Sequence, residues 1–253
     1  MKVTFLGTGT SQGVPVIACN CHVCTSPDAK DNRLRSSIML ESAAGTIVVD
    51  TTPDFRYQML RAKVKHLEAV LVTHSHKDHI AGMDDIRAFN YFQQTPIDVY
   101  ASTFSQEVIM REFAYAFAEH KYPGIPDIRL RTIDDAPFVI NGLPIIPIQV
   151  MHYKMPVLGF RFHDFTYITD ANFIHEAEKE KIKGSKILVL NALRREKHIS
   201  HFTLDEAIAL GRELNVPQLY LTHISHQLGR HAEVSSELPD GVALAYDGLS
   251  FEI

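Results

Sequence analysis

Val70-Leu71-Val72-Thr73-His74-Ser75-His76-Lys77-Asp78-His79-Ile80-Ala81-Gly82 is the stretch on which the reading of this chain turns. Ala69 to Val72 is an uninterrupted apolar run, the pattern of a buried strand. It stops at Thr73, and His74, His76, Asp78 and His79 follow within six residues. Imidazole and carboxylate are ligands that borderline divalent metals prefer. Side chains of an extended segment alternate, so His74 and His76 point to one side. A turn into helix near Lys77 swings Asp78 and His79 to a second point close by. One short segment can therefore supply parts of two adjacent metal sites. Solvated loop histidines are the bland alternative in a chain with 14 of them. The pattern H-x-H-x-D-H directly after a buried strand is too restrictive for that reading to lead.

The chain has 253 residues, 45% of them hydrophobic, enough for a large core in one domain over 1–253 or two tightly fused halves. A net charge of −5 argues against broad nucleic-acid binding. It leaves room for a small phosphate ester at a local positive site. No apolar run reaches the roughly eighteen residues of a membrane span, and Val3 to Leu6 is too short for a signal peptide. A cytoplasmic protein without a membrane partner is expected. The only cysteines, Cys19, Cys21 and Cys24, fall within six residues. An odd, crowded set fits a metal knuckle better than a disulfide framework.

Outward from the central stretch, Val3 to Leu6 reads as a strand before Gly7-Thr8-Gly9-Thr10-Ser11-Gln12-Gly13. Those glycines permit a tight turn against a neighbouring element. A phosphate-binding P-loop is rejected, because no Gly-Lys-Ser/Thr follows. Ser36 to Leu40 and Thr46 to Val49 are strands, the second ending at Asp50. Phe55, Met59, Leu60 and Val64 recur at helical spacing, as do Ile80, Met83, Ile86, Phe89 and Phe92. Ile97 to Tyr100 is a strand, and Ser105 is placed to cap a helix through Phe117. Tyr122 to Asp135 reads as a loop over one face and a candidate substrate wall.

The second half repeats this rhythm. Strands are expected over Phe138 to Ile140 and Ile145 to Val150, then as a hairpin from Gly159 to Thr169. Further strands run from Lys186 to Leu190, from Gln218 to Leu221 and, as two short pieces, between Gly241 and Ile253. Thr203-Leu204-Asp205-Glu206 is a capping box opening a helix that Asn215-Val216-Pro217 ends. Strands alternating with helices in both halves predict an α/β chain of two packed sheets with helices outside. His74, His152, Asp170 and His223 each sit one or two residues beyond an apolar strand. Such strand ends converge on one edge in layered α/β proteins, where sites are built.

These motifs resemble the signature of the metallo-β-lactamase superfamily of dinuclear hydrolases. The resemblance covers nearly the whole chain and implies a four-layer αββα sandwich. It implies His74, His76 and His152 on one metal, Asp78, His79 and His223 on the other, Asp170 bridging them, and Asp50 supporting the metal loop. Gly-Thr-Ser-Gln-Gly-Val-Pro, the cysteine cluster and Leu-Thr-His-Ile-Ser-His-Gln resemble more closely the superfamily's phosphodiesterases. In particular they resemble the PhnP-type phosphoribosyl cyclic phosphate phosphodiesterases. That family implies a structural zinc, here on Cys19, Cys21, Cys24 and His226, with His22 a poorly placed alternative. Three thiolates and an imidazole form a closed site, as structural zinc requires.

The expected cofactors are two divalent catalytic ions, manganese or zinc, and one structural zinc. Two such ions about 3.5–4 Å apart can share a hydroxide and stabilise charge on a phosphoryl oxygen during in-line displacement. Asp78 could also orient the nucleophile. The resemblance places a functional histidine at His201, the candidate general acid, with His198 its competitor. Lys154 is a candidate for substrate phosphate, and Arg33, Arg35 and Arg194 are weaker ones. The expected activity is hydrolysis of a small cyclic or nucleotide-like phosphodiester, with a homodimer left open. Transfer-RNA 3′ processing is the enzymatic rival, but the protruding Gly/Lys-rich arm such enzymes carry has no counterpart between Asp170 and His201. Neither a helical extension for thioester hydrolysis nor an export signal of a β-lactamase is seen. A non-catalytic metal-dependent carrier in coenzyme biosynthesis is the rival from another class.

Overall fold

The computed structural model describes residues 1–120 and 122–253. Chain order gives β1 (Lys2–Gly7), β2 (Ser37–Ser42), β3 (Gly45–Val49), β4 (Ala69–Leu71), β5 (Ile97–Ala101) and β6 (Ile128–Thr132). Then come β7 (Phe138–Ile140), β8 (Leu143–His152), β9 (Met155–Phe162), β10 (Phe165–Tyr167), β11 (Phe173–Ile174), β12 (Ile187–Asn191), β13 (Gln218–Thr222), β14 (Val242–Leu244) and β15 (Ser250–Glu252). One sheet runs in the order β15-β1-β2-β3-β4-β5-β6, the other β11-β8-β9-β10-β12-β13-β14, with β7 paired to β8. Both follow one plan. An antiparallel meander, β1-β2-β3 or β8-β9-β10, leads into a parallel run, β3-β4-β5-β6 or β10-β12-β13-β14.

Strand alternation explains the layers. Ile38, Leu40, Ile47, Val49 and Leu71 point inward and meet Ile145, Phe160, Phe162, Tyr167 and Val189 of the facing sheet. Their neighbours Met39, Val48, Val70 and Val72 point outward and pack on Phe55 and Met59 of α1 (Phe55–Arg61), and on Ile80, Met83 and Ile86. On the far side, Leu188, Leu190, Leu219 and Leu221 cover Leu204, Ala207 and Leu210. Period-two alternation with both faces apolar is what a sheet buried on each side demands. The result is the expected αββα arrangement.

Local departures have local causes. The stripe from Ile80 to Phe92 is three pieces: α2 (Lys77–Ile80), a 3₁₀ turn (Met83–Ile86) and α3 (Arg87–Gln93). It breaks at Gly82, whose N–H donates to the Thr51 carbonyl at 2.9 Å and so leaves the helical ladder, and whose backbone lies so close to Thr52 that an added Cβ would sit 2.1 Å from the Thr52 carbonyl oxygen. The phase is lost by Phe92, which is 81% exposed. Ser102, not Ser105, caps α4 (Thr103–Glu112), its hydroxyl accepting from the Ser105 N–H. Helix geometry ends at Glu112, and a 3₁₀ turn (Ala114–Phe117) replaces the expected continuation. The expected loop from 122 to 135 contains β6, an edge strand carrying Arg129 and Arg131 paired to Asp98. Charged edge residues hide the strand signal in sequence.

Three further helices complete the outer layers: α5 (Glu176–Ile182), α6 (Leu204–Glu213) and α7 (His231–Ser235). The capping box opening α6 forms as the sequence predicts, Thr203 and Glu206 each bonding the other's backbone N–H. Among the described residues no helix is long and apolar enough to cross a membrane.

Candidate metal centre

Strands β4, β8, β10 and β13 deliver their last residues to one edge of the sandwich. His74 follows β4, His152 is the final residue of β8 rather than one beyond it, Asp170 follows β10 and His223 follows β13. Asp170 and His223 have φ of 52° and 54°, a left-handed conformation uncommon outside glycine. That turn takes each side chain out of its strand's alternation and into the edge. Strained backbone of this kind clusters at functional sites.

Helix α2 begins at Lys77, the point where the sequence predicts the change from extended to helical chain. His74 and His76 precede it with Nε2 and Nδ1 3.0 Å apart. The His76 ring lies 5.2 Å from His152, and His74 lies 5.8 Å from it. On the other side, His79 Nε2 is 3.2 Å from an oxygen of Asp78 and 3.2 Å from Asp170. His223 Nδ1 is 3.1 Å from the same Asp170 oxygen. All seven expected ligands thus meet at one edge.

Asp170 is common to three groups whose ligand atoms lie within 4.8 Å of one another: His74 and His79, His152 and His201, and Asp78 and His223. Its two oxygens divide the neighbours. Oδ1 faces His201 Nε2 at 3.1 Å, while Oδ2 faces His79 and His223 and accepts from the Thr169 hydroxyl at 2.7 Å.

Behind the ligands stands Asp50, fully buried. Its carboxylate accepts from the Thr73 N–H and hydroxyl, each at 2.8 Å, and from His79 Nδ1 at 2.7 Å. The bond from Nδ1 leaves His79 Nε2 turned to the site. That nitrogen is buried and makes no well-aligned hydrogen bond, although oxygens of Asp78 and Asp170 lie 3.2 Å from it. A buried imidazole nitrogen is rarely left unpaired, and a metal ion is the partner its surroundings suit. His152 is oriented in the same way, its Nδ1 donating to the Ser200 carbonyl at 2.8 Å.

Electrostatics agree with a cation-seeking pocket. Burial pushes the Asp170 carboxyl up, but His223 and His79 outweigh it and hold the carboxyl well below its usual range. Burial is likewise the largest single influence on Asp78 and raises it, but the charge and hydrogen bond of His79 together with the His223 charge bring it below its usual range. His79 is disfavoured as a cation by burial, yet Asp170, Asp78 and Asp50 lift its pKa well above that of free imidazole. A proton on His79 stands where the three carboxylates call for positive charge.

A second cluster lies apart from this one in composition. Cys19, Cys21 and Cys24 place Sγ at 3.3, 3.3 and 3.5 Å from His226 Nδ1. All four ligand atoms lie within 4.8 Å of one another, the tetrahedral donor set of structural zinc. The Cys24 N–H, ahead of burial, lowers the Cys21 thiol to about 6, whereas burial raises Cys24 to about 11. His22 is exposed, and its carbonyl receives Arg230 Nε. Because His223 and His226 are three residues apart, the tetrad adjoins the end of β13 that carries a ligand of the first centre.

The remaining candidates separate clearly. His201 faces Asp170 in the site, and its Nδ1 lies 3.1 Å from His198 Nδ1. Burial lowers the His201 pKa to about 4 against the opposing Asp170 charge. Lys154 is exposed at the mouth of a cleft of about 770 Å³ that His76 and His152 also line. Arg33 is buried on Thr8, the Ala245 carbonyl and His231, Arg35 pairs with Asp54, and Arg194 bonds Gln227 and backbone. None of the three is directed to the edge by these bonds. Gly7 gives the close approach the sequence predicts, since a Cβ there would sit 1.9 Å from the Arg35 carbonyl oxygen. The loop it opens brings the Thr10 hydroxyl to 3.3 Å from His223 Nε2, a contact that only tertiary structure reveals.

Comparison with known proteins agrees with this geometry. The family model of the beta-lactamase superfamily domain matches residues 45–224. Octanoyltransferase of Porphyromonas gingivalis is 37% identical over 252 residues, 98% of this chain, and the chain spans 51% of that protein's length. Coenzyme PQQ synthesis protein B of Ruegeria pomeroyi is 34% identical over 122 residues, covering 43% of this chain and 39% of that one. Among solved structures, a diphosphatase of the PhnP family superposes with a TM-score of 0.93 at 38% identity, over 100% of this chain and 97% of that one. Zinc-bound PqqB from Methylobacterium extorquens, at 18% identity and a TM-score of 0.81 over 100% of both chains, shares the fold. Sequence motif, layered architecture and family match converge: the chain belongs to the metallo-β-lactamase superfamily and is similar over its whole length to a member of the PhnP family.

Proposed function

We propose that the protein is a dinuclear metal-dependent phosphodiesterase acting on a small phosphodiester. The observation that carries this reading is the position of Asp170, which shares groups of ligand atoms within 4.8 Å of one another with His74 and His152 of one expected set and with His79, Asp78 and His223 of the other. His74, His76 and His152 would hold one ion, Asp78, His79 and His223 the other, and Asp170 both. The His79 Nε2, set between Asp78 and Asp170 oxygens without a well-aligned hydrogen bond, and the chemistry of the donor set fit that assignment. Two bound divalent ions would supply Lewis-acid activation of water and charge stabilisation at a phosphoryl group.

The chain's own side chains do the rest. Asp50 fixes the tautomer and orientation of His79, and the Ser200 carbonyl does so for His152. Asp78, with its carboxyl held ionised, accepts a hydrogen bond from the attacking water and orients it. His201 stands beside Asp170, within reach of a leaving alkoxide. Its burial keeps the imidazole neutral at pH 7 in the protein alone. The Asp170 carboxylate acts against that burial, favouring the protonated imidazole that general acid catalysis uses. His198 and Ser200 bond the far nitrogen of His201 and hold the ring in place.

The relative named octanoyltransferase is about twice as long, and its activity belongs to the whole of that protein. A covalent acyl route through cysteine finds little support here, since all three thiols stand in the tetrad. The diphosphatase relative points to the same chemistry at phosphorus, with phosphate in place of an alcohol as leaving group. The test is to strip the protein with a chelator and follow bis(p-nitrophenyl) phosphate and p-nitrophenyl phosphate after adding manganese or zinc. Restored hydrolysis of the diester, well above that of the monoester, is expected. Absence of diester turnover with either metal, in folded protein, contradicts the reading.

A further inference from the structure

The cleft of about 770 Å³ at the metal centre is lined by His76 and His152 together with Phe104, Tyr153 and Ile199. Its volume is that of a site for a ligand of nucleotide size. The three apolar side chains come from separate parts of the chain: the first turn of α4, the β8–β9 turn and the segment before His201. They are 58%, 51% and 65% exposed. Scattered exposed apolar residues need no explanation. Three that line one cleft with His76 and His152 do.

The positions of these residues are also held by the centre itself. Tyr153 directly follows His152 and has φ of 58°, an uncommon conformation for an aromatic residue. Its N–H is fixed by the Asn172 side chain at 2.7 Å, and Asn172 is two residues beyond Asp170. Ile199 is fixed by its neighbour, since the Ser200 carbonyl receives His152 Nδ1. Lys154 Nζ lies 5.3 Å from the Tyr153 ring centroid, a cation–π distance that keeps positive charge beside the apolar surface. The cleft thus brings together two candidate metal ligands, a lysine cation and an apolar lining.

We propose that this wall receives the esterified organic group, and that Phe104, Tyr153 and Ile199 select phosphoesters whose organic group is flat and apolar, such as an aryl or nucleobase-bearing moiety. The proposal rests on the phosphodiesterase reading for the reaction, but concerns which ester enters. Aromatic side chains favour a planar partner because stacking covers both faces and needs no directional hydrogen bonds. A purely sugar-like group would leave its hydroxyls facing carbon.

Binding of non-hydrolysable phosphonates separates the two readings. Phenylphosphonate and methylphosphonate are titrated calorimetrically into the manganese-loaded and zinc-loaded full chain, and into Phe104→Ala, Tyr153→Ala and Ile199→Ala. The wild type is expected to bind the phenyl compound at least about tenfold more tightly, the order that covering an aromatic ring provides. Each substitution is expected to lower that ratio, with Phe104→Ala and Tyr153→Ala lowering it most. The sites are surface-exposed, and unchanged melting temperatures verify that the variants fold. Equal affinity for both compounds in the wild type, or a ratio unmoved in all three variants, overturns the inference. A protein that shows the preference yet hydrolyses no diester keeps this inference and loses the proposed reaction. One that hydrolyses diesters without the preference loses this inference alone.

Discussion

Asp50 reaches no solvent, and three hydrogen bonds that set the metal-facing geometry end on its carboxylate. An acceptor-only group suits the position, because all three partners donate. In Asp50→Asn the amide nitrogen would confront one of them, and the negative charge behind His79 would be gone. Affinity for metal at the edge site is predicted to fall roughly 10- to 100-fold, with the zinc of the cysteine tetrad retained. Metal content after dialysis against graded chelator measures both; equal retention in variant and wild type would remove Asp50 from the account. At this scale the sequence was informative wherever ligands are close neighbours. His74, His76, Asp78 and His79 announce themselves by spacing alone, whereas the left-handed backbone at Asp170 and His223 leaves no mark in residue type. Phe104 and Ile199 stayed hidden for the same reason: their role depends on what lies across the cleft.

Elements were readable to the extent that apolar alternation or a capping motif carried them. Strands β2, β3, β12 and β13 and the box at Thr203 are the clearest cases. The failures are physical too. Phe92 continues a helical stripe in sequence but points to solvent after Gly82 has broken the helix, and β6 hides behind edge arginines paired with Asp98. The cysteine loop is an element without regular structure, held by its four donors. Cys21→Ser would remove one thiolate from a closed set. The variant is predicted to lose one zinc per chain and several degrees of melting temperature, of the order expected when about 1–3 kcal/mol of stability is lost. Diester turnover would fall with it, because His226 and His223 share the end of β13. Mass-spectrometric metal counting beside calorimetry tests this, and a variant with full zinc content would contradict the tetrad.

Across the whole molecule, the two sheets lock through a buried network that joins distant parts of the chain. Arg33 donates to Thr8, to the Ala245 carbonyl at 2.6 Å and to His231 Nδ1 at 3.1 Å, while Asp31 receives the His231 N–H. Burial first, then the Arg33 and Lys30 charges, lower the His231 pKa from 6.5 to about 4. The folded state therefore resists protonating His231, and the unfolded chain binds more protons between those two values. This group's contribution to stability is complete above about pH 6.5 and declines as pH falls toward about 4, with no further change below. His231→Asn keeps an acceptor for Arg33 without a titrating ring. The unfolding free-energy gap between wild type and variant in urea should shrink over that window, and a gap independent of pH would contradict the assignment. The repeated plan of the halves was legible in the alternation of strands and helices. The network joining them was not, because its members are up to 212 residues apart.

The most direct test is hydrolysis of an aryl phosphodiester with added manganese or zinc, comparing the wild type with Asp170→Ala. Removing the carboxylate that faces both ligand groups should lower kcat at least about a thousandfold, of the order lost when a principal charge-stabilising group is removed. Zinc retained at the cysteine tetrad reports that the variant is folded. Turnover within tenfold of wild type would show that the reaction, if it occurs, is not organised by the centre described.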